Sequence, residues 1–233
     1  MKAQIIKTMY IEAARRIHDA RTGRNTYTGN SYRIDVIAEG DVDPDIGWVI
    51  DYADIKRFFE PVRRQLDHCC LSNIPALADD ASPAALEHWI GEQLRPWPSW
   101  FAGVRVSLPA SRGFALVHLE SEAALGLPDR VAFSFSAAQS LPQLPVGHPC
   151  RELHGHTYQI EIAPASLQQV EAAASEVFDH LDNSCINDLP GLEQATAERI
   201  AAWIWHFLVA KGAVPELVVV QETPSNRCCY FGG

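Results

Sequence analysis

The feature that most constrains this chain of 233 residues is an internal repeat. Glu12-Ala13-Ala14 matches Ser136-Ala137-Ala138 at an offset of 124 positions, and Gly29-Asn30-Ser31-Tyr32 matches Gly155-His156-Thr157-Tyr158 at an offset of 126. The second pair of strings opens runs that alternate between apolar and polar residues, a pattern typical of half-buried strands. Self-similarity at a nearly fixed spacing indicates that one structural unit is used twice. The sequence therefore predicts two related units.

Later landmarks keep the same order. Leu66-Asp67-His68 matches Leu181-Asp182-Asn183 at an offset of 115, and Trp89-Ile90 matches Trp203-Ile204 at 114. Apolar residues recur at helical spacing around these landmarks, so each unit is predicted to run strand, strand, helix, helix, strand. We assign residues 1–125 to the first unit and residues 126–233 to the second. One such unit has open sheet edges, which another unit must pair or cover.

Charge and hydropathy exclude two classes of partner. The chain has 29 acidic and 19 basic residues and a net charge of -10, and it has no Lys/Arg-rich run that could neutralise a nucleic-acid backbone. It also lacks an apolar stretch of the length that a membrane span or a signal peptide needs. We therefore expect a cytoplasmic protein that binds a small molecule, with no nucleic-acid and no membrane partner.

One short string carries most of the recognisable chemistry, and it runs from Cys150 through His154-Gly155-His156. Two histidines separated by one residue at the start of a strand project from the same face of the sheet. Paired imidazoles are suited to zinc. On this string alone, a polar turn that binds no metal is an equally good interpretation.

Longer strings carry a family resemblance. In the second copy they are Phe135-Ser136-Ala137-Ala138, Gly147-His148-Pro149-Cys150, Leu153–Tyr158, Thr196-Ala197-Glu198 and Val219–Thr223; in the first copy they are Asp43–Tyr52 and Leu66-Asp67-His68. Together they resemble the 6-carboxytetrahydropterin and 6-pyruvoyltetrahydropterin synthases, over nearly the whole chain.

The resemblance implies an α+β chain of tandem T-fold units. Each unit would have a four-stranded antiparallel sheet with two helices, and the units would associate into a barrel as a homo-oligomer. It also implies a lyase that uses Zn²⁺ and converts 7,8-dihydroneopterin triphosphate to 6-carboxy-5,6,7,8-tetrahydropterin, a queuosine precursor. A 6-pyruvoyl product, or a pterin-binding paralogue that has lost the metal, stays open as an alternative.

The resemblance also assigns roles to individual residues. Cys150 would transfer protons on the substrate side chain with the help of Asp67-His68. Glu222 would anchor the pterin ring, and Thr196 would contact it. Threonine at that position is also a good helix N-cap, which is the structural alternative for Thr196.

The predicted metal site departs from the family pattern at one position. His154 and His156 match two of the three zinc histidines, but Gln139 stands where the first histidine is expected. Glutamine is a poor zinc ligand beside imidazole. Metal binding should therefore be weaker, unless His148 or Cys150 completes the coordination.

The two copies have lost complementary residues. Asp67-His68 in the first copy corresponds to Asp182-Asn183 in the second. Conversely, the first copy has none of the second copy's thiol, metal and anchor residues, and the aligned positions are Arg15, Arg24, Thr28, Asn30 and Leu108. This pattern predicts one composite site between the units. The alternative is that Asp67 only closes a helix end and that His68 is a packed core histidine.

Overall fold

The computed structural model describes residues 1–108, 113–164 and 167–232, and it contains two sheets, each backed by two helices. The elements of the first half are β1 (Lys2–Asp19), β2 (Arg24–Asp41), α1 (Tyr52–Leu66), β3 (Cys69–Cys70), α2 (Pro83–Gln93) and β4 (Phe101–Ser107). Those of the second half are β5 (Val117–Leu119), β6 (Arg130–Gln139), β7 (His154–Pro164), α3 (Leu167–Leu181), β8 (Ser184–Cys185), α4 (Ala197–Ala210), β9 (Pro215–Thr223) and β10 (Asn226–Tyr230).

The first sheet has the strand order β3-β1-β2-β4. β1 and β2 form a long antiparallel hairpin that pairs Lys2 with Asp41 at one end and Asp19 with Arg24 at the other. β3 runs parallel to β1, so the sheet has the expected four strands but is not wholly antiparallel. The parallel pair is short because the chain leaves it at once for a 3₁₀ turn over Leu71–Asn73.

The second sheet repeats this arrangement and extends it. β8, β6, β7 and β9 correspond to β3, β1, β2 and β4, again with a parallel pair between β8 and β6. β10 adds an antiparallel strand beside β9, and β5 adds one beside β6, so this sheet has six strands rather than four. β5 precedes residue 125 in the chain, and the division of the chain at that point stays a prediction.

Each sheet packs its apolar face against its own two helices. In α1 the buried positions are Ile55, Phe59, Val62 and Leu66, which lie on one helical face. Full burial of each such side chain contributes about 1.5–3 kcal/mol. A separate core of the same kind forms between the second sheet and α3 and α4. In the described part of the chain, no helix combines the length and apolarity that crossing a membrane requires.

The two halves meet where β1 and β2 pack against β6 and β7. A Cβ atom added to Gly29 would lie 2.2 Å from the Cα of Gly155, and one added to Gly155 would lie 2.3 Å from the Cα of Gly29. Only glycine allows backbones to approach so closely. Beside this crossing, the Ser31 amide donates to Thr157 Oγ1 and the Thr157 amide donates to Ser31 Oγ, both at 3.3 Å. Equivalent residues of the two halves therefore face each other, as in a two-fold interface. Across residues 1–108, 113–164 and 167–232 the two sheets do not close into a barrel.

Candidate functional site

Potential metal donors from both halves converge beside the crossing. One ligand atom from each of His68, Cys150 and His154 lies within 4.8 Å of the others. The rings of His68 and His154 are 4.8 Å apart between centroids, and those of His68 and His156 are 6.5 Å apart. The structure thus brings together a histidine of the first copy with the Cys and His-Gly-His residues of the second.

The two histidines at the start of β7 are buried with their Nε2 atoms unpartnered. Nδ1 of His154 lies 2.8 Å from the backbone oxygen of Glu152, and Nδ1 of His156 lies 2.8 Å from Oε2 of Glu12. The backbone oxygen of Glu152 can only accept, so it holds the proton of His154 on Nδ1 and leaves Nε2 with a free lone pair. Neither Nε2 atom has a hydrogen bond, although Oε1 of Glu222 lies 3.4 Å from Nε2 of His156. Burial lowers the pKa of His154 to about 3 and that of His156 to about 4, so both rings are neutral at pH 7, the form that binds metals.

Gln139 contributes a third side-chain atom without a hydrogen bond, on the strand beside His154. It pairs directly with His154 between β6 and β7, and its side chain is fully buried. Its Nε2 donates to Oε1 of Glu222 at 2.6 Å, whereas its Oε1 has no partner. Two imidazole nitrogens and one amide oxygen are therefore left without hydrogen bonds inside the protein. Buried polar atoms are rarely left so, and this donor set fits a divalent cation.

Cys150 provides a second way to complete the donor set. It lies on the 3₁₀ turn Pro149–Arg151, half-buried, and shares His154 with the group just described. His148 is exposed, and its Nδ1 accepts a hydrogen bond from the Cys150 amide at 3.2 Å. His148 therefore shapes the turn and is not one of the clustered donors.

The thiol of Cys150 is held in its protonated form by its surroundings. Burial raises its pKa above the ordinary value, and the nearby carboxylates of Glu222 and Asp67 raise it further. Among the protein groups around it, none counteracts this effect strongly. A bound cation or an imidazolium is the kind of group that lowers a thiol pKa.

The Asp67-His68 pair lies where α1 ends. Asp67 Oδ1 accepts the Glu12 amide at 3.0 Å and lies 3.2 Å from Nδ1 of His68, while Oδ2 accepts from Arg63 at 2.6 Å. Asp67 therefore both ties the helix end to β1 and orients the imidazole. The hydrogen bond to Asp67 raises the pKa of His68 against the opposing effect of burial. Although burial raises the pKa of Asp67, its hydrogen bonds to His68 and to the Glu12 amide lower it overall.

Glu222 and Thr196 line a cavity of about 220 Å³ next to the donor cluster, together with Leu141, Arg227 and Cys228 among others. Thr196 is also the N-cap of α4, because its Oγ1 accepts the Arg199 amide at 3.4 Å. The helix-cap interpretation of Thr196 is thus observed, and the same residue borders the cavity.

Glu12 is the site residue that sequence reasoning missed. Glu12 entered the sequence comparison only as a landmark of the repeat. It is 7% exposed, its Oε2 lies 2.8 Å from Nδ1 of His156, and the same oxygen accepts a hydrogen bond from the Ser31 hydroxyl at 2.6 Å. Burial raises its pKa to about 7. The available signal was the mismatch within a matched string, since an acid in the first copy aligns with Ser136 in the second.

Comparison with known proteins gives a consistent result. A family model described as 6-pyruvoyl tetrahydropterin synthase matches residues 4–100 and 130–233. A curated 6-carboxy-5,6,7,8-tetrahydropterin synthase from Synechocystis sp. is 37% identical over 119 residues, which is 42% of this chain and 88% of that protein. The two matched segments support the tandem arrangement.

Two solved structures are more distantly similar. The 6-pyruvoyl tetrahydropterin synthase of Caenorhabditis elegans is 21% identical with a TM-score of 0.39 and covers 52% of this chain and 99% of its own. That of Plasmodium vivax is 13% identical with a TM-score of 0.26 and covers 99% of this chain and 97% of its own. Similarity at these scores adds nothing to the match with the family model.

Proposed function

The chain belongs to the 6-pyruvoyl tetrahydropterin synthase family and is a lyase of that class, and we propose that it converts 7,8-dihydroneopterin triphosphate to 6-carboxy-5,6,7,8-tetrahydropterin with the help of zinc. The product is proposed from the similarity to the 6-carboxy synthase of Synechocystis. The observation that carries the proposal is the convergence of His68 with Cys150 and His154, because it joins residues of the two copies in one cluster.

The zinc ion would be held by the atoms that lack a partner inside the protein. These are Nε2 of His154, Nε2 of His156 and Oε1 of Gln139. When bound there, zinc supplies Lewis acidity toward an oxygen of the substrate side chain. An amide oxygen is a weaker zinc ligand than an imidazole, so we expect a lower affinity than a site of three histidines would have.

Cys150 and the Asp67-His68 pair would move protons on the substrate side chain. Asp67 is fixed by Arg63 and by the Glu12 amide, so it presents one oxygen to Nδ1 of His68 and stabilises the charged imidazole. A charged imidazole can donate a proton, and its neutral form can accept one from the Cys150 thiol or the substrate.

Glu222 would bind the pterin ring in the neighbouring cavity. A carboxylate can accept two parallel N–H bonds from the amino-pyrimidine edge of a pterin. The amide of Gln139 holds one oxygen of this carboxylate at 2.6 Å and so orients it. Gln139 therefore links the proposed ring anchor to the proposed metal position.

We propose that several chains associate to complete a barrel. β3 and β4 lie at the edges of the first sheet, and β10 and β5 lie at the edges of the second. Strand edges of this kind are normally paired or covered. Edge-to-edge association of copies would pair them and give a homo-oligomer.

The test is metal analysis of protein purified without chelator, followed by an assay with 7,8-dihydroneopterin triphosphate. We expect bound zinc and a 6-carboxy product identified by mass. Gln139→His should tighten zinc binding, and His154→Ala should abolish it. A 6-pyruvoyl product would correct the assignment within the family. No zinc uptake from excess zinc, together with retained pterin binding, would instead identify a binding protein without catalysis.

A further inference from the structure

Glu12 lies in β1, in the half of the chain that provides none of the three unpartnered donor atoms. Its carboxylate nevertheless contacts one of the proposed ligands, with Oε2 at 2.8 Å from Nδ1 of His156. The same oxygen accepts the hydroxyl of Ser31 at 2.6 Å. Glu12 is therefore held from its own half while it contacts a histidine of the other half.

This contact determines which nitrogen of His156 is free. A neutral imidazole carries one proton, and the acceptor beside one nitrogen decides where the proton resides. A carboxylate faces each nitrogen of His156, but Oε2 of Glu12 lies 2.8 Å from Nδ1 whereas Oε1 of Glu222 lies 3.4 Å from Nε2. The nearer acceptor favours the proton on Nδ1, which leaves the lone pair on Nε2. For His154 the backbone oxygen of Glu152 does the same at 2.8 Å. Acceptors of this kind orient metal-binding histidines and increase their basicity.

The equivalent contact on the other side of the crossing serves as a natural comparison. There Ser136, which aligns with Glu12, accepts a 2.8 Å hydrogen bond from Nδ2 of Asn30, which aligns with His156. A hydroxyl is thus sufficient to join the two halves where no imidazole is present. A buried carboxylate costs more free energy of desolvation than a buried hydroxyl, so joining the halves does not by itself explain Glu12.

We propose that Glu12 is a positioning residue of the metal site, which holds His156 in the Nδ1–H tautomer and presents its Nε2 to the ion. The identity of the ion rests on the proposed function, whereas the tautomer does not. Both copies would then contribute residues to metal binding as well as to proton transfer.

The first experiment uses the metal-free full-length chain. Nitrogen-15 NMR of the histidine rings should show the proton of His156 on Nδ1 in the wild type. In Glu12→Ala we expect a shift of that proton toward Nε2. The matched control is Ser136→Ala, which removes the equivalent contact to Asn30 and should leave His156 unchanged. An unaltered Nδ1–H tautomer in folded Glu12→Ala would overturn the proposal.

The second experiment measures zinc affinity by competition with a chromophoric chelator. Loss of an acceptor that orients a ligand lowers metal affinity about 10- to 100-fold, so we expect that loss for Glu12→Ala and no loss for Ser136→Ala. Glu12→Gln keeps the shape but is a weaker acceptor, so it should lose less. If Glu12→Ala does not fold, zinc affinity is measured on Glu12→Gln instead. A zinc affinity of Glu12→Gln equal to that of the wild type then contradicts the proposal. A wild type that binds no zinc but shows the Nδ1–H tautomer contradicts the proposed function alone.

Discussion

The two sides of the central crossing share the backbone arrangement at the end of the first helix of each half but differ in their side chains. Asp67 Oδ1 accepts the Glu12 amide at 3.0 Å, and Asp182 Oδ1 accepts the Ser136 amide at 3.0 Å. The residue after each aspartate has a positive φ, 57° at His68 and 56° at Asn183. Histidine and asparagine both tolerate this left-handed conformation better than most residues do. The scaffold has been kept in both copies while the chemistry has diverged.

The hairpins of the two copies differ most. β1 and β2 stay paired up to Asp19 and Arg24, whereas β6 ends at Gln139 and β7 begins at His154. The intervening segment 140–153 contains three prolines, which cannot donate to a strand ladder. The second copy therefore opens into a loop that carries Cys150, where the first copy continues a closed hairpin. Of the two equivalent positions, one therefore brings His68, Cys150 and His154 together, whereas the other has residues without these donor groups.

The largest expected effect is the loss of turnover when His68 of the first copy or Cys150 of the second copy is replaced. His68→Ala should lower kcat by about 100- to 10,000-fold, the range for a lost general acid–base group. Cys150→Ala should be at least as damaging. Because we propose that the two residues act together, the double variant should be little worse than the more damaging single one.

His180 is the control for this test. It lies in the copy that carries the His-Gly-His string, but it is exposed, and its Nδ1 lies 2.7 Å from the backbone oxygen of Glu176. Asp179 beside it pairs with Arg21 at 2.7 Å. His180→Ala should therefore retain activity. An inactive His180→Ala with an active, folded His68→Ala would place the whole site in the second copy.

The packing of the two halves can be disrupted at the contact between Gly29 and Gly155. Gly29→Ala would place a methyl group against the backbone of Gly155, which cannot move aside as a side chain can. We expect the free energy of unfolding to fall by about 3 kcal/mol or more, at or above the upper end for overpacking. Gly91→Ala in α2 is the control, since no atom lies within 4 Å of the added carbon, and it should stabilise the chain by about 0.5–1 kcal/mol. Urea titrations of both variants test this, and equal stabilities would show that the crossing is not tightly packed.

The pterin anchor should exist on one side only. Leu108 takes the position that Glu222 has in the second copy, and leucine offers no acceptor to an amino-pyrimidine edge. Calorimetry should give about one pterin per chain. Glu222→Leu makes the two sides alike and should weaken binding by about 1–3 kcal/mol, the cost of an unpaired buried polar group. A stoichiometry near two in the wild type would mean that the first copy has a site of its own.

The smallest effect is the difference in pKa between Asp67 and Asp182. Burial raises the pKa of Asp67, but the hydrogen bonds from His68 and the Glu12 amide, with the charges of His68 and Arg63, together lower it below the ordinary value. For Asp182, which lies beside Asn183, burial raises the pKa. Carbon-13 titration of the carboxyl groups should show Asp182 taking up its proton at a higher pH than Asp67. His68→Asn should raise the pKa of Asp67, and Asn183→His should lower that of Asp182. The reverse order of protonation would show that His68 does not control its aspartate.

The pKa shifts of Asp67 and Asp182 change the free energy of unfolding with pH in opposite directions. The lowered pKa of Asp67 means that its contribution to the free energy of unfolding is present at neutral pH and is lost as the pH falls through its value in the folded state. Asp182 binds a proton more readily in the folded state than in the unfolded one. Its contribution therefore declines as the pH rises from the ordinary value of an aspartate through the raised one.

The sequence determined the repeat and, in each half, the order of the two long strands, the two helices and the strand that follows them, but not the short strands β3 and β8 or the added strands β5 and β10. Its offsets match the structure residue by residue, since Arg15 pairs with Thr28 as Gln139 pairs with His154. These features depend on periodicity and short motifs, which are local properties of the chain. The complementary occurrence of His68 and Cys150 was also visible, because it needs only the alignment of the two copies.

The tertiary structure alone decided which atoms of the site are paired and which are left free. The amide nitrogen of Gln139 donates to Glu222 while its oxygen has no hydrogen bond, and Glu12 contacts His156, 144 positions away in the chain. Sequence spacing within a unit carries no information about contacts between units, because those depend on how two separately folded surfaces pack. The close approach of Gly29 and Gly155 sets that packing. It thereby positions an acid of one copy against a histidine of the other.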